Sequence, residues 1–127
     1  MIHIPIGTSG QTVVFSSDVL NHFQNARQLR ATQAEAGGQL FAKLKDGEIR
    51  IERATGPRST DIRARMRYLP DRRAEQEEIE LMHTSDFHYV GDWHTHPDAY
   101  PVPSRVDVES IGECVRASSH DLNAFLM

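Results

Sequence analysis

The spacing of apolar residues predicts three helices along the chain. After Ser16, apolar side chains recur every three or four positions through residues 18–33, a pattern typical of an amphipathic helix with a serine N-cap. A charged helix with one apolar side follows Pro70 in DRRAEQEEIELMHTS, and a third begins at Ser104 in SRVDVESIGECVRASS. Each helix therefore has an apolar face that a protein core can bury.

A β-hairpin is predicted between the first two helices. The runs QLFAKL (39–44) and EIRIERA (48–54) flank Asp46 and Gly47. Because glycine accepts the positive φ of a tight turn, an Asp-Gly pair between two such runs is a strong hairpin signal.

Three further runs have the character of strands. In residues 62–69, IRARMRYL, apolar side chains alternate with arginines, which predicts one strand with a buried face. Residues 87–96, FHYVGDWHTH, predict another strand, and residues 123–127, NAFLM, are typical of the start of a buried strand. Helices and strands alternate in an order that indicates an α/β layered fold with a mixed sheet.

Length and composition favour one domain without a global affinity for polyanions. The 127 residues can bury a single sizeable core, and no Gly- or Ser-rich linker divides them. The net charge of −4 argues against binding to nucleic acid or an anionic membrane. Six arginines nevertheless lie close together and form either a local basic surface or a solvated edge: Arg58, Arg63, Arg65, Arg67, Arg72 and Arg73.

Cysteine content and the amino terminus favour a cytoplasmic protein. Cys114 is the only cysteine, so an intramolecular disulfide is impossible. We expect it to be a core residue rather than a nucleophile, because no Cys-His pairing is suggested. The first twelve residues lack the basic start and long apolar run of a signal peptide.

Two histidines at the end of the last full strand are candidate metal ligands. Side chains at i and i+2 of a strand share a face, so His94 and His96 present adjacent imidazoles. Catalytic zinc takes three protein ligands and keeps one open position, and Asp107 can be the third if the proline-rich loop reverses the chain. The alternative is polar surface followed by an ordinary cap, with Ser104 as N-cap and Asp107 in the first helical turn.

A hydrolytic metal site also needs a carboxylate base, and Glu35 is the most suggestive candidate. It stands beside Gly37 and Gly38, where a backbone or a substrate can approach closely. A solvent-facing acid at a helix end is the alternative interpretation. A cytidine-deaminase type of site is excluded, because the chain has neither His-x-Glu nor Pro-Cys-x-x-Cys.

Taken together, Glu35, the His94-Thr95-His96-Pro97 run and Ser104-x-x-Asp107 resemble the signature of the JAMM (MPN+) metalloproteases. The resemblance implies a three-layer α/β sandwich like that of cytidine deaminases, with a mixed sheet flanked by helices. It implies zinc held by His94, His96 and Asp107, with Glu35 as general acid/base and Ser104 steadying the oxyanion. The implied reaction is hydrolysis after the C-terminal glycine of a ubiquitin-like protein.

The segments 56–83 and 91–104 are similar to small bacterial JAMM proteins encoded beside E1-like and E2-like enzymes, including the isopeptidase of CBASS anti-phage operons. This similarity implies a ubiquitin-like protein or its conjugate as substrate, including conjugates of E1-like or E2-like enzymes or of a nucleotidyltransferase. The alternatives are a peptidase acting on a sulfur-carrier-like protein and a metal-free MPN scaffold. Because family members normally continue past an AFLM-like strand, we expect residues 1–127 to form one JAMM/MPN+ domain that can be incomplete at its carboxyl end.

Overall fold

The computed structural model describes residues 1–117 and 125–127. In chain order the described elements are β1 (Ile2–Pro5), β2 (Thr12–Phe15), α1 (Ser17–Asn25), β3 (Gly37–Lys45), β4 (Glu48–Ala54), β5 (Ile62–Ala64), β6 (Arg67–Leu69), α2 (Arg72–His83), β7 (His88–His94) and α3 (Arg105–Ala117). Two predicted elements extend beyond the described residues: residues 118–119 of the third helix and residues 123–124 of the NAFLM strand lie outside them.

Five of the strands form one mixed sheet in the order β1-β2-β4-β3-β7. The pairing of β2 with β4 is parallel, whereas β1 with β2, β3 with β4 and β3 with β7 are antiparallel. Leu126 adds a parallel bridge to Gly91 on the edge of β7 that faces away from β3. The predicted hairpin is confirmed as β3 and β4, with Asp46 and Gly47 at positive φ.

Helices cover both faces of the sheet. Successive side chains of β3 point to opposite faces, so each face contributes to its own core cluster. Leu40 and Ala42 pack on one face with Val19 of α1. Phe41 packs on the other face with Phe87 and Tyr89, against residues of α2 and α3. The predicted α/β sandwich with a mixed sheet flanked by helices is confirmed.

The amino-terminal strands β1 and β2 were not predicted. All four residues of β1 are exposed, so this strand carries no alternation of buried and exposed positions. In β2, Val13 and Val14 are both buried, so this strand does not alternate either. Strands this short give too few positions for a period to be recognised.

The single strand predicted over residues 62–69 is wrong. The segment folds back on itself as β5 and β6, a separate two-stranded sheet in which Ile62 pairs with Leu69. Ile62 and Met66 are 59% and 72% exposed, so the alternation does not mark a buried face. The two strands pair with each other and with no described strand of the main sheet.

The first predicted helix begins as expected but is shorter. Ser16 caps α1 by accepting a hydrogen bond from Val19 N at 3.3 Å. The helix ends at Asn25, and beyond it the side chain of Gln33 accepts hydrogen bonds from the backbone N–H groups of Leu29 and Arg30, at 2.6 and 2.7 Å. These donors are then not available to continue the helical ladder.

The charged helix after Pro70 is confirmed. Asp71 caps α2 by accepting from the backbone N–H groups of Arg73 and Ala74, and Ile79 and Met82 pack against the aromatic cluster below the sheet. Among the described residues, no helix combines the length and the apolar character that crossing a bilayer requires.

Replacing Phe41 by alanine is expected to lower the free energy of unfolding by about 3–5 kcal/mol, because the side chain is fully buried and its loss leaves a cavity. Urea unfolding followed by tryptophan fluorescence measures the change. Leu44→Ala in the same strand, where the side chain is 45% exposed, is the control and is expected to cost much less. Equal losses in the two variants would contradict the assignment of Phe41 to the core.

Candidate metal centre

The two histidines converge at the end of β7. The strand ends at His94, but Thr95 continues its pairing through a hydrogen bond from its N–H to the carbonyl of Ala36, 2.8 Å away. His96 therefore faces the same side as His94. The two Nε2 atoms lie 2.8 Å apart, and both side chains are largely buried.

Asp107 reaches the histidines from the first turn of α3. Its Oδ2 lies 2.9 Å from His94 Nε2 and 3.2 Å from His96 Nε2. Ser104 N donates to the same oxygen at 2.7 Å, and Asp107 N donates to Ser104 Oγ at 3.1 Å. The same turn therefore caps α3 and places the Asp107 carboxylate against the two histidines.

Hydrogen bonds keep Asp107 in the form that a metal requires. Partial burial raises the pKa of this carboxyl, but the bonds from Ser104 and the neighbouring His94 outweigh burial, so the net pKa lies below its usual range. An ionised carboxylate is the state that binds a cation.

The three side chains fit a zinc ion with an open coordination position. Two imidazole nitrogens and a carboxylate oxygen lie within 4.8 Å of one another and point to one place. Imidazole and carboxylate are donors that zinc accepts, and three protein ligands are the usual number when one position is kept for water or substrate. The donor set therefore suits the predicted metal.

Glu35 lies beside this cluster. Gly37 pairs with His94 in the register of β3 and β7, so the segment that precedes β3 runs along the His94–His96 turn. Glu35 is only 6% exposed, which contradicts the solvent-facing alternative. Burial raises the pKa of its carboxyl, and His96 and His94 partly oppose this rise.

The backbone of Glu35 is held by the β5–β6 hairpin. Its N–H donates to the carbonyl of Ala64 at 2.8 Å, and its own carbonyl accepts from Arg63 Nε at 2.7 Å. These contacts join residues about thirty positions apart, so no local pattern in the sequence could have revealed Arg63.

Ser104 is exposed at the start of α3. Its Oγ accepts the N–H of Asp107 at 3.1 Å, and its hydroxyl also interacts with the Asp107 carboxyl, whose pKa it helps to lower. Because a hydroxyl can rotate, it can donate either to Asp107 or to a group bound near the metal cluster.

The glycines after Glu35 allow a close approach of backbone. A Cβ on Gly38 would lie 1.6 Å from the carbonyl oxygen of Thr55, and one on Gly37 would lie 2.6 Å from the ring of Tyr68. The groups that approach these glycines closely are therefore the protein's own Thr55 backbone and Tyr68 ring.

Gly38→Ala is expected to destabilise the fold by about 3 kcal/mol or more, because the carbonyl of Thr55 is backbone and cannot move away easily. Gly112→Ala in α3 is the matched control, since its Cβ would meet only the flexible side chain of Arg116. The midpoint of urea unfolding measures both. A Gly38→Ala protein as stable as Gly112→Ala would refute the packing at Thr55.

Two arginines of the cluster are paired with acids of α2. Arg58 pairs with Glu78 at 2.6 Å, and Arg72 pairs with the buried Glu75 at 3.0 Å. Arg72 also donates to Cys114 Sγ at 2.8 Å. Cys114 packs against the aromatic cluster under the sheet, as expected of a core residue.

Two cavities meet at His94. One, of about 1030 Å³, is largely apolar and is bordered by Phe15, Phe23 and the prolines of the 97–103 loop. The other, of about 520 Å³, lies between α2 and α3 and is bordered by Glu75 and Asp92. Both include His94, so the cluster can be reached from two sides.

Comparison with known proteins gives one family and several relatives. A family model described as "Prokaryotic homologs of the JAB domain" matches residues 20–120. The chain is 31% identical over 101 residues to a "CD-NTase/cGAS isopeptidase" from Escherichia coli strain TW11681, covering 77% of this chain and 65% of the relative. A protein of the same name from Pseudomonas aeruginosa strain BWHPSA011 is 35% identical over 98 residues, covering 73% and 61%.

Two further matches are a curated relative and a solved structure that shows a similar fold. A "Probable metalloprotease y4qB" from Sinorhizobium fredii is 33% identical over 88 residues, covering 65% of this chain and 54% of the relative. The solution structure of protein DSY2949 from Desulfitobacterium hafniense superposes with a TM-score of 0.59 at 20% identity, covering 76% of this chain and 65% of that one. The chain spans less than two thirds of the length of these curated relatives.

Proposed function

The chain belongs to Prok-JAB, the prokaryotic homologs of the JAB domain, and on this premise we propose that it is a zinc-dependent isopeptidase or peptidase. One observation carries the proposal: His94, His96 and Asp107 converge within 4.8 Å beside the buried carboxyl of Glu35. Metalloprotease and isopeptidase are also the names of similar proteins.

Each residue of the site has a role in amide hydrolysis. Zinc, when bound by His94, His96 and Asp107, acts as a Lewis acid and makes a strong nucleophile available at neutral pH. The carboxylate of Glu35 accepts the proton released as the nucleophile forms and delivers it to the leaving amine. Because burial raises the pKa of Glu35, its carboxyl can hold that proton between the two steps.

Ser104 contributes the remaining polar group. Its hydroxyl lies beside Asp107 at the exposed start of α3, so by rotating it can donate to the negative charge that develops on the carbonyl oxygen. A donor in such a position typically contributes about 3–4 kcal/mol to transition-state stabilisation.

The proposed substrate is the bond after the C-terminal glycine of a ubiquitin-like protein. Two relatives are named as isopeptidases of CD-NTase/cGAS, which favours a ubiquitin-like modifier joined to a nucleotidyltransferase within an anti-phage system. The large apolar groove at the histidines has room for an extended peptide, and a diglycine end allows the backbone to approach closely.

A panel of substrates tests this proposal. The chain, loaded with zinc, is incubated with a ubiquitin-like protein joined by an isopeptide bond to a nucleotidyltransferase lysine, with a linear ubiquitin-like fusion, and with a sulfur-carrier-like fusion. We expect cleavage of the conjugate that a chelator abolishes. Cleavage of the sulfur-carrier fusion alone would show that a sulfur-carrier-like protein, and not a ubiquitin-like conjugate, is the substrate. Bound zinc without any cleavage would indicate a scaffold.

A further inference from the structure

The side-chain amide of Gln28 joins three segments that surround the metal cluster. Its Nε2 donates to the carbonyl of Gln33 and to the carbonyl of Arg65, each at 3.0 Å. Its Oε1 accepts from the hydroxyl of Thr95 at 2.9 Å. The loop before β3, the β5–β6 hairpin and the turn between the two histidines are thereby held by one half-buried residue.

The orientation of this amide is fixed by its partners. Thr95 Oγ1 accepts the N–H of Ala36 at 3.0 Å, so the single proton of the hydroxyl points to Gln28. Both amide protons of Gln28 meet carbonyl oxygens, which cannot donate. Each hydrogen bond in this network, from Ala36 through Thr95 and Gln28 to Arg65, therefore has one assigned donor and one assigned acceptor.

These bonds connect the segment that carries the proposed base, Glu35, with the turn that carries the two histidines. Thr95 stands between His94 and His96, and Ala36 is the next residue after Glu35. Arg65 belongs to the same hairpin that bonds the backbone of Glu35. Gln28 itself lies outside the helices and strands, so its place depends on these contacts.

We propose that Gln28 is a positioning residue, which acts through Thr95 and the hairpin to set the distance between the carboxyl of Glu35 and the histidine pair. The effect on catalysis rests on the proposed function, whereas the bonding does not. Positioning contacts around a reactive group matter because small displacements of that group lower the rate steeply.

Gln28→Glu is the sharpest variant, because it keeps the shape but replaces two donors with a carboxylate that faces two carbonyl oxygens. We expect kcat to fall about 10- to 100-fold, as for other residues that orient a metal site or its ligands. Zinc stoichiometry is expected to remain unchanged, since Gln28 is not one of the three converging groups. Gln28 also borders the large apolar groove, so a positioning effect is expected to lower kcat at unchanged KM, whereas a raised KM at unchanged kcat would assign Gln28 to substrate binding and overturn the positioning role. Thr95→Val is expected to have the same effect, and Thr95→Ser is expected to retain the wild-type rate because it keeps the hydroxyl.

Gln24→Glu is the matched control, because Gln24 is an exposed residue of α1. Equal kcat values for Gln28→Glu and Gln24→Glu would overturn the catalytic effect. If the wild-type chain cleaves no substrate, the proposed function fails, and amide exchange of Ala36 still tests the bonding. We expect this exchange to accelerate about tenfold in Gln28→Glu and Thr95→Val but not in Thr95→Ser. Unchanged exchange in Gln28→Glu would refute the positioning role.

Discussion

Replacing Glu35 by glutamine is expected to lower kcat for conjugate cleavage by about 10²- to 10⁴-fold, the usual contribution of a general acid/base. The amide has nearly the shape of the carboxylate but cannot accept the proton and pass it to the leaving amine. Since Glu35 is buried beside the histidines and is not one of the three converging groups, bound zinc is expected to stay at the wild-type level.

Steady-state kinetics together with metal analysis of the same preparation measure both quantities. Glu77→Gln is the control, because Glu77 is an exposed residue of α2 that pairs with Arg73 at the surface. A Glu35→Gln protein that retains the rate of Glu77→Gln would remove Glu35 from the mechanism. A protein that has lost zinc would show instead that Glu35 supports the metal site.

Asp107→Asn is expected to abolish both zinc binding and cleavage. An amide oxygen is a much poorer ligand than an ionised carboxylate, and the substitution also weakens the bond that Ser104 N donates to Asp107. Substitution of residues that only hydrogen-bond to metal ligands already lowers metal affinity about 10- to 100-fold. Loss of a ligand itself is therefore expected to lower zinc affinity by more than about 100-fold.

Asp98→Asn is the matched control for this variant. Asp98 Oδ2 lies 4.0 Å from His96 Nδ1, but the side chain is 69% exposed and points to the outer nitrogen of the ring. Competition with a chromophoric zinc chelator measures both affinities. Equal affinities of Asp98→Asn and Asp107→Asn would contradict the assignment of Asp107 as a ligand.

The parts of the site that could be predicted from sequence follow local rules. His94 and His96 share a face because side chains of a strand repeat every two residues. Ser104 and Asp107 lie together because both belong to the first turn of one helix. Glu35 was a candidate base because it stands beside two glycines, but its place next to these pairs rests on the sheet register, which no local rule gives.

The parts that could not be predicted depend on contacts between distant segments. Thr95 and Gln28 are 67 positions apart, and Arg63 lies 28 positions from the carbonyl that it bonds. In residues 62–69 the alternation of apolar and charged side chains is real, but the segment pairs with itself and stays exposed. A periodic pattern thus indicates a strand without showing which surface will cover it.

The central claim is that one zinc ion held by His94, His96 and Asp107 enables hydrolysis with Glu35 as base. A titration of the metal-free chain with zinc, in which the initial rate of conjugate cleavage is recorded at each addition, tests it most directly. The predicted rate rises in proportion to zinc up to one equivalent per chain and then stays constant. A rate that is the same without zinc, or that remains zero when one equivalent is bound, would contradict the claim.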